Sequence, residues 1–170
     1  MLWLFLGMVI GCGYQRHIKR LDNEEYAHWT ALRVFMETPD RKAYLSLKTR
    51  AERDAWLKEN KLWDTFYQYE QNIRDKIVAG EVQTGWNRDM VLMSWGWPME
   101  KRKEFRSSAV QSEKWIYKFE LHKDGGVLVW EPDSKTAYKA KRLFLREIVI
   151  EDQGAISTAD DIVTEIIQKD

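Results

Sequence analysis

Residues 115–130 read WIYKFELHKDGGVLVW, and this stretch decides the fold class. Its first seven residues alternate with a period of two, which is typical of a half-buried β-strand. The residues Asp124-Gly125-Gly126 favour a tight turn, and the apolar run that follows them supplies a partner strand. The stretch therefore predicts an antiparallel β-hairpin.

The segments on either side of the hairpin complete the predicted fold. Residues 143–150 are rich in Leu, Ile, Val and Phe, which predicts a third strand. Ahead of the hairpin, apolar residues recur at three- and four-residue steps across residues 22–79, which indicates a helical segment. Helices followed by strands imply an α+β fold. We expect an N-terminal helical segment, then one more helix and a three-stranded antiparallel sheet.

Capping residues predict where several helices begin. Asp22 or Asn23 can cap the first helix, because their side chains accept hydrogen bonds from the unpaired N–H groups of a first turn. Thr49 and Glu52 have the spacing of a capping box. Asn87 can cap the short helix that precedes the strands. These positions fix helix starts without reference to the rest of the chain.

The remaining polar and C-terminal segments give weaker patterns. Residues 101–111 are polar and predict a loop or a ragged strand. Within residues 157–170, Ser157 or Thr158 can cap a helix, and Ile162, Ile166 and Ile167 recur at helical spacing. The sequence therefore predicts a C-terminal helix over residues 157–170.

The N-terminus carries an uncharged, almost wholly apolar run at residues 2–11. As a helix it would rise about 15 Å, half of a ~30 Å hydrocarbon core. The run fits the apolar region of a secretory signal, and Val9-Ile10-Gly11-Cys12 resembles the bacterial lipobox. The alternative is a buried N-terminal strand with an incidental Cys.

The lipobox resemblance implies a lipoprotein. Residues 1–11 would be a signal peptide that is removed, and residues 12–21 would be a lipidated tether. The Cys12 thiol would carry the diacylglycerol, with palmitate-type acyl chains that hold the protein on the membrane. Gly13 stands where an Asp often signals inner-membrane retention, which favours the outer membrane.

Composition and charge exclude several function classes. The chain has 27 basic and 27 acidic residues, so it lacks the basic excess of a nucleic-acid-binding protein. Its single Cys excludes a disulfide framework. The three His residues lie far apart, and we expect them to be solvated rather than to bind a metal. The sequence predicts no catalytic residues, no metal site and no cofactor.

One stretch resembles a known lipoprotein family. Residues 85–98 read GWNRDMVLMSWGWP and are followed by Trp115-Ile116-Tyr117. This pattern resembles the SmpA/OmlA-type lipoprotein domain, which includes the BamE-type component of the outer-membrane β-barrel assembly machine. The resemblance covers residues 80–156. The matching motif positions are Gly85, Val91, Gly96, Pro98, Trp115 and Tyr117.

The resemblance implies a structural role for these motif residues and no chemistry. Gly96 would end the short helix at a positive φ, and Pro98 would prevent its continuation. Trp115 and Tyr117 would share one face of a strand. A fainter resemblance, to GWxTD-domain proteins, rests on residues 44–53 and on Gly85, Trp86 and Asp89.

Tryptophans crowd the short helix, and they predict a contact surface. Trp86, Trp95 and Trp97 cannot all be buried by so short an element. Trp and Arg are enriched at the centres of protein interfaces. We expect an interface that combines Trp86 and Trp97 with Arg102 and Arg106.

These patterns together predict a non-enzymatic cell-envelope lipoprotein. It would face the periplasm from the outer membrane, as a scaffold or accessory in outer-membrane assembly or maintenance. Its partners would be the membrane, through the N-terminal lipid, and an envelope protein, with no nucleic acid. The alternative is an envelope ligand-binding module for peptidoglycan or lipid.

Overall fold

The computed structural model describes residues 16–105, 111–130, 140–151 and 161–169. The chain divides into two compact units, one running to Arg74 and the other starting at Asp75. We call them the helical unit and the sheet unit. The sequence-based division, after residue 79, lies slightly later in the chain.

The helical unit is built from short helices. They are α1 (Asn23–Leu32), a 3-10 turn (Arg33–Phe35), α2 (Thr38–Ser46), α3 (Arg50–Glu59) and α4 (Leu62–Tyr67). The next helix, α5 (Gln71–Val78), contains the boundary between the units. The helical segment predicted for residues 22–79 is confirmed in its secondary structure.

Two predicted helix starts are confirmed in atomic detail. Asp22 caps α1, and its carboxylate accepts from the backbone N–H of Glu25 while the Glu25 carboxylate accepts from that of Asp22. Thr49 and Glu52 form the same reciprocal box at the start of α3. Each box satisfies N–H groups that have no partner within the helix.

The core of the helical unit is largely aliphatic and aromatic. Its buried apolar side chains come from all four helices and from the turn after the 3-10 segment. They are Trp29, Ala31, Leu32, Met36, Tyr44, Leu45, Leu57 and Phe66.

The sheet unit places helix α6 (Arg88–Trp95) ahead of five antiparallel strands. Among the described residues, these are β1 (Glu100–Phe105), β2 (Gln111–His122), β3 (Val127–Val129), β4 (Ala140–Glu151) and β5 (Ile162–Lys169). The order is β1-β2-β4-β5, and β3 pairs with β2. The α+β class and the hairpin at residues 123–126 are confirmed.

The predicted count of three strands needs correction, because the described residues form a sheet of five, with additional strands at residues 100–105 and 162–169. Residues 100–105 form β1, which pairs with β2 from Glu100↔Ile116 to Phe105↔Gln111. The charged sequence of β1 does not predict a regular strand, and the backbone pairing with β2 explains why the segment is extended.

The predicted C-terminal helix is wrong, since residues 162–169 form strand β5 along β4. The isoleucine spacing fits a helix, but Ile162, Val163 and Thr164 are β-branched and favour extended backbone. The edge of β4 offers this segment backbone hydrogen bonds from Leu145↔Lys169 to Glu151↔Ile162, and this tertiary pairing decides the outcome.

Helix α6 packs on the sheet through Trp95. Its ring lies nearly perpendicular to the rings of Tyr117 and Phe119, at centroid distances of 5.1 and 5.0 Å. Its Nε1 donates to the Gly80 carbonyl at 2.8 Å. Asn87 caps the helix as predicted, and Gly96 ends it at φ 74. A positive φ is one that Gly adopts with little cost.

Candidate functional site

The six motif residues singled out in the sequence lie at α6 and in the sheet unit. Trp115 and Val91 are fully buried, and Tyr117 is buried except for 1%. The Tyr117 hydroxyl donates to the Gly96 carbonyl at 3.0 Å. Gly85 donates its N–H to the Val163 carbonyl at 2.8 Å. Gly96 and Pro98 lie at the end of the helix, so the pattern builds a scaffold.

Trp86 does not belong to an exposed surface, and this part of the predicted interface is wrong. Its side chain is only 5% exposed. The backbone around it is fixed to the start of β5, because the Val163 N–H donates to the Trp86 carbonyl at 2.8 Å. The sequence did not predict β5, so it gave no reason to expect this backbone pairing beside Trp86.

Trp97 is exposed, as the sequence predicted. Its side chain is 59% exposed and that of Met99 is 51% exposed. The positive φ of Gly96 turns the chain away from α6, and the Met99 N–H then donates to the Ile116 carbonyl at 2.9 Å. Two large apolar side chains are thereby held in solvent between a helix and a strand.

Lys101 is the cation that accompanies Trp97. Its Nζ lies 4.9 Å from the centroid of the Trp97 ring and 4.2 Å from that of the buried Trp115 ring. Partial burial lowers the pKa of Lys101, although the nearby Glu113 opposes the shift. We define the Trp97 surface as Trp97, Met99 and Lys101.

Arg102 is not part of this surface. It pairs across the sheet with Lys114, whereas Lys101 pairs with Trp115, and neighbouring residues of a strand point to opposite faces. Its Nε lies 2.7 Å from a Glu100 carboxylate oxygen. Arg106 lies outside the described residues. Sequence reasoning placed the basic segment at residues 100–106 at the interface but selected Arg102 rather than Lys101, because the sequence assigned this segment no strand register.

A cluster of charged groups holds Trp115 beneath the Trp97 surface. The Trp115 Nε1 donates to a Glu113 carboxylate oxygen at 2.9 Å. The same oxygen lies 3.2 Å from an Arg88 guanidinium nitrogen, and Arg88 also pairs with Asp161. These contacts join the start of α6 to β2 and to the residue before β5. They therefore stabilise the part of the sheet unit that carries the Trp97 surface.

His28, in the helical unit, is buried, so the expectation that it is solvated is wrong. Its Nε2 lies 2.7 Å from the Tyr67 hydroxyl, which donates to Glu24 at 2.8 Å. The imidazole also packs against Trp63 and Phe66. Asp54 lies 3.9 Å from Nδ1.

Burial is the largest cause of the pKa shifts of His28 and Tyr67. It lowers the pKa of His28, with Asp54 and Glu24 opposing the shift. Burial, together with the bond to Glu24, raises the pKa of Tyr67 to about 12. With no accessible surface, the His28 ring cannot contact a substrate. Its neutral form joins α1 to α4 through Tyr67.

The remaining expectations concern metal ligands, membrane-spanning helices and the lipidated Cys12. No group of three potential metal ligands occurs in the described part of the chain. Within the same ranges, no helix is long and apolar enough to cross a membrane. Cys12, with the signal-peptide pattern before it, falls outside the described residues.

Comparisons with family models, with curated proteins and with solved structures found no match to this chain.

Proposed function

We propose that this chain is a lipid-anchored protein of the bacterial outer membrane, facing the periplasm. In this proposal it works by contact with another envelope protein and carries no catalytic site. The anchor is the lipid on Cys12, and the SmpA/OmlA-like motif residues form the scaffold that presents the contact surface.

The exposed pair Trp97 and Met99 is the observation that carries the proposal. Trp97 is 59% exposed although its neighbour Trp95 is 5% exposed. An exposed aromatic side chain gains most when a partner covers it, and Trp is among the commonest interface hot spots. Lys101 beside it adds a positive charge for an acidic or polar rim on the partner.

The structural elements that flank the Trp97 surface support a role in binding. Trp97 and Met99 lie between the capped helix α6 and strand β1, and Lys101 contacts the fully buried Trp115. A rigid mount reduces the ordering cost of association, which improves affinity without additional contacts.

Lipidation is tested by mass spectrometry of the protein extracted from membranes. We expect the mature chain to begin at an acylated Cys12, and a Cys12→Ala variant to stay unacylated and to retain residues 1–11. An unmodified Cys12 in the extracted protein, or a mature chain that begins at Met1, would contradict the anchor.

Contact is tested by copurification from detergent-solubilised membranes. A Trp97→Ala, Lys101→Glu double variant should fold but lose an envelope protein that the wild type recovers. Arg102→Glu is the matched control, since it reverses a neighbouring charge on the other face of β1. Equal recovery by both variants would exclude the Trp97 surface. Recovery of glycan or lipid alone would favour the ligand-binding alternative.

A further inference from the structure

We infer that Arg146, Phe144 and Arg142 on β4 form a binding site for a carboxylate group. The site lies on the face of the sheet that carries Trp95 and shares no residue with the Trp97 surface. The inference depends neither on the lipid anchor nor on the proposed partner.

Arg146 lies against three aromatic rings. Its guanidinium carbon is 4.7 Å from the centroid of the Phe119 ring, 5.4 Å from that of Phe144 and 5.8 Å from that of Trp95. Phe119 and Phe144 stack with each other at 5.5 Å, and the ring of Trp95 meets Phe119 edge-on. These rings restrict the guanidinium and remove water from part of it.

The Arg146 guanidinium has no carboxylate partner among the residues that the structure describes. Its contacts there are with the three rings alone. Partial burial lowers the pKa of Arg146, since removal of water disfavours the charged form. Arg88 in the same unit instead meets both Glu113 and Asp161. Ring contacts offset only part of the cost of desolvating a cation, so an anion is the missing complement.

Among the described residues, the cross-strand neighbours of Arg146, Phe144 and Arg142 on this face include no acidic residue. Cross-strand neighbours share a face of a sheet. The neighbours are arranged as Tyr117↔Arg146↔Gln168, Val129↔Phe119↔Phe144 and Val127↔Leu121↔Arg142. All of these positions are apolar, aromatic, amide or basic.

Arg142 adds a second guanidinium on the same face. Its guanidinium carbon lies 5.7 Å from the centroid of the Phe144 ring, which therefore has an arginine on each side along β4. Val127, across the sheet from this end, is 42% exposed. The site thus presents basic and apolar groups together.

The chemistry favours a carboxylate attached to an apolar group. A guanidinium that stacks on rings keeps its N–H edges free for bidentate hydrogen bonds with a planar carboxylate. The single negative charge of a carboxylate matches the one partly desolvated cation. The apolar residues around the site would contact the rest of the ligand.

The test is an NMR titration of the full chain in non-ionic detergent, observing the arginine Nε–H resonances. Acetate, inorganic phosphate and chloride are added separately at constant ionic strength. We expect acetate to shift the Arg146 resonance saturably, with a midpoint of about 10–100 mM. The resonance of exposed Arg102 should shift little, and chloride should have no saturable effect.

Three outcomes would overturn the inference. An Arg146 response that is linear, or no larger than that of Arg102, would show that no site exists. A phosphate midpoint at least ten times lower than that of acetate would assign the site to phosphate. The backbone amide of Phe144 serves as a second probe, and an Arg146→Lys variant that stays folded and gives the wild-type acetate midpoint at this probe would remove Arg146 from the site.

Discussion

The helical unit and the sheet unit each contain an arginine that is partly or wholly removed from water, but the two arginines have different surroundings. Arg53 is buried against Glu25, with 2.8 Å between its Nε and a carboxylate oxygen. It also donates to the Leu47 carbonyl. Arg146 instead lies against aromatic rings, with no acid beside it among the described residues.

The difference separates a structural charge from a charge available for binding. Arg53 and Glu25 neutralise each other inside the fold and join α1 to α3, so no ligand is needed. In the described part of the chain the partly buried Arg146 guanidinium contacts aromatic rings only, which leaves its N–H groups for the carboxylate that we infer. A charged residue thus indicates a binding site only when the fold leaves its hydrogen-bonding groups unsatisfied.

The largest expected effect is the loss of Trp115, on which the sheet unit depends. Replacing this fully buried ring by Ala should cost roughly 3–5 kcal/mol of the free energy of unfolding, since it leaves a large cavity. Denaturant melts measure the loss. Trp97→Ala is the matched control and should cost less than about 0.5 kcal/mol. A cost below about 1 kcal/mol for Trp115→Ala would contradict the described packing.

Glu25→Gln should destabilise the helical unit by about 3 kcal/mol. The substitution keeps the shape of the side chain but leaves the Arg53 charge buried without its partner. Glu52→Gln is the control at the same position of the exposed capping box on α3, and it should cost less than about 1 kcal/mol. Equal losses would show that the ion pair contributes no more than the cap.

His28 should make stability fall as the pH falls. Burial lowers its folded-state pKa below the ordinary 6.5, so the unfolded chain binds the proton first as the pH drops through 6.5. The contribution is therefore present above pH 6.5 and is lost toward the lower folded-state pKa. The pKa of Glu24 is also lowered, mainly by its hydrogen bond from Tyr67, but the contribution of Glu24 to stability is lost only as the pH falls below about 4.5.

Urea melts of the wild type and of His28→Gln between pH 7.5 and 5.5 measure this dependence. The variant should lose part of the slope, while His17→Gln, at an exposed position, should keep it. An unchanged slope in His28→Gln would mean that the imidazole is not held neutral by burial.

The smallest expected effect is that of Arg146→Met. Because no described ion pair is lost and the methionine can cover the same rings, the variant should change stability by less than about 1 kcal/mol. Thermal melts at matched protein concentration measure it. A loss as large as that of Glu25→Gln would place Arg146 among the structural charges.

Local signals predicted the parts of the fold that local chemistry controls. The caps at Asp22, Thr49 and Asn87 and the turn at residues 123–126 depend on neighbouring residues, and the sequence located them. Strand β5 depends on the free edge of β4, which spacing alone does not reveal. The backbone of the buried Trp86 also pairs with Val163 at the start of β5, so both errors concern the same part of the sheet unit.

The candidate sites were only partly predictable for the same reason. The exposure of Trp97 follows from Gly96, which is adjacent in the sequence. Lys101 required the register of β1 with β2. The rings around Arg146 come from α6, β2 and β4, so their proximity becomes visible only in the folded sheet.

The central claim, that the protein works by contact through the Trp97 surface, is tested most directly by site-specific photocrosslinking in intact cells. A photoreactive phenylalanine replaces Trp97 in one strain and Tyr26, a 50% exposed aromatic residue of the helical unit, in a control strain. We predict one discrete protein adduct from position 97 and none of that mass from position 26. The same adduct from both positions, or no protein adduct from position 97, would contradict the claim.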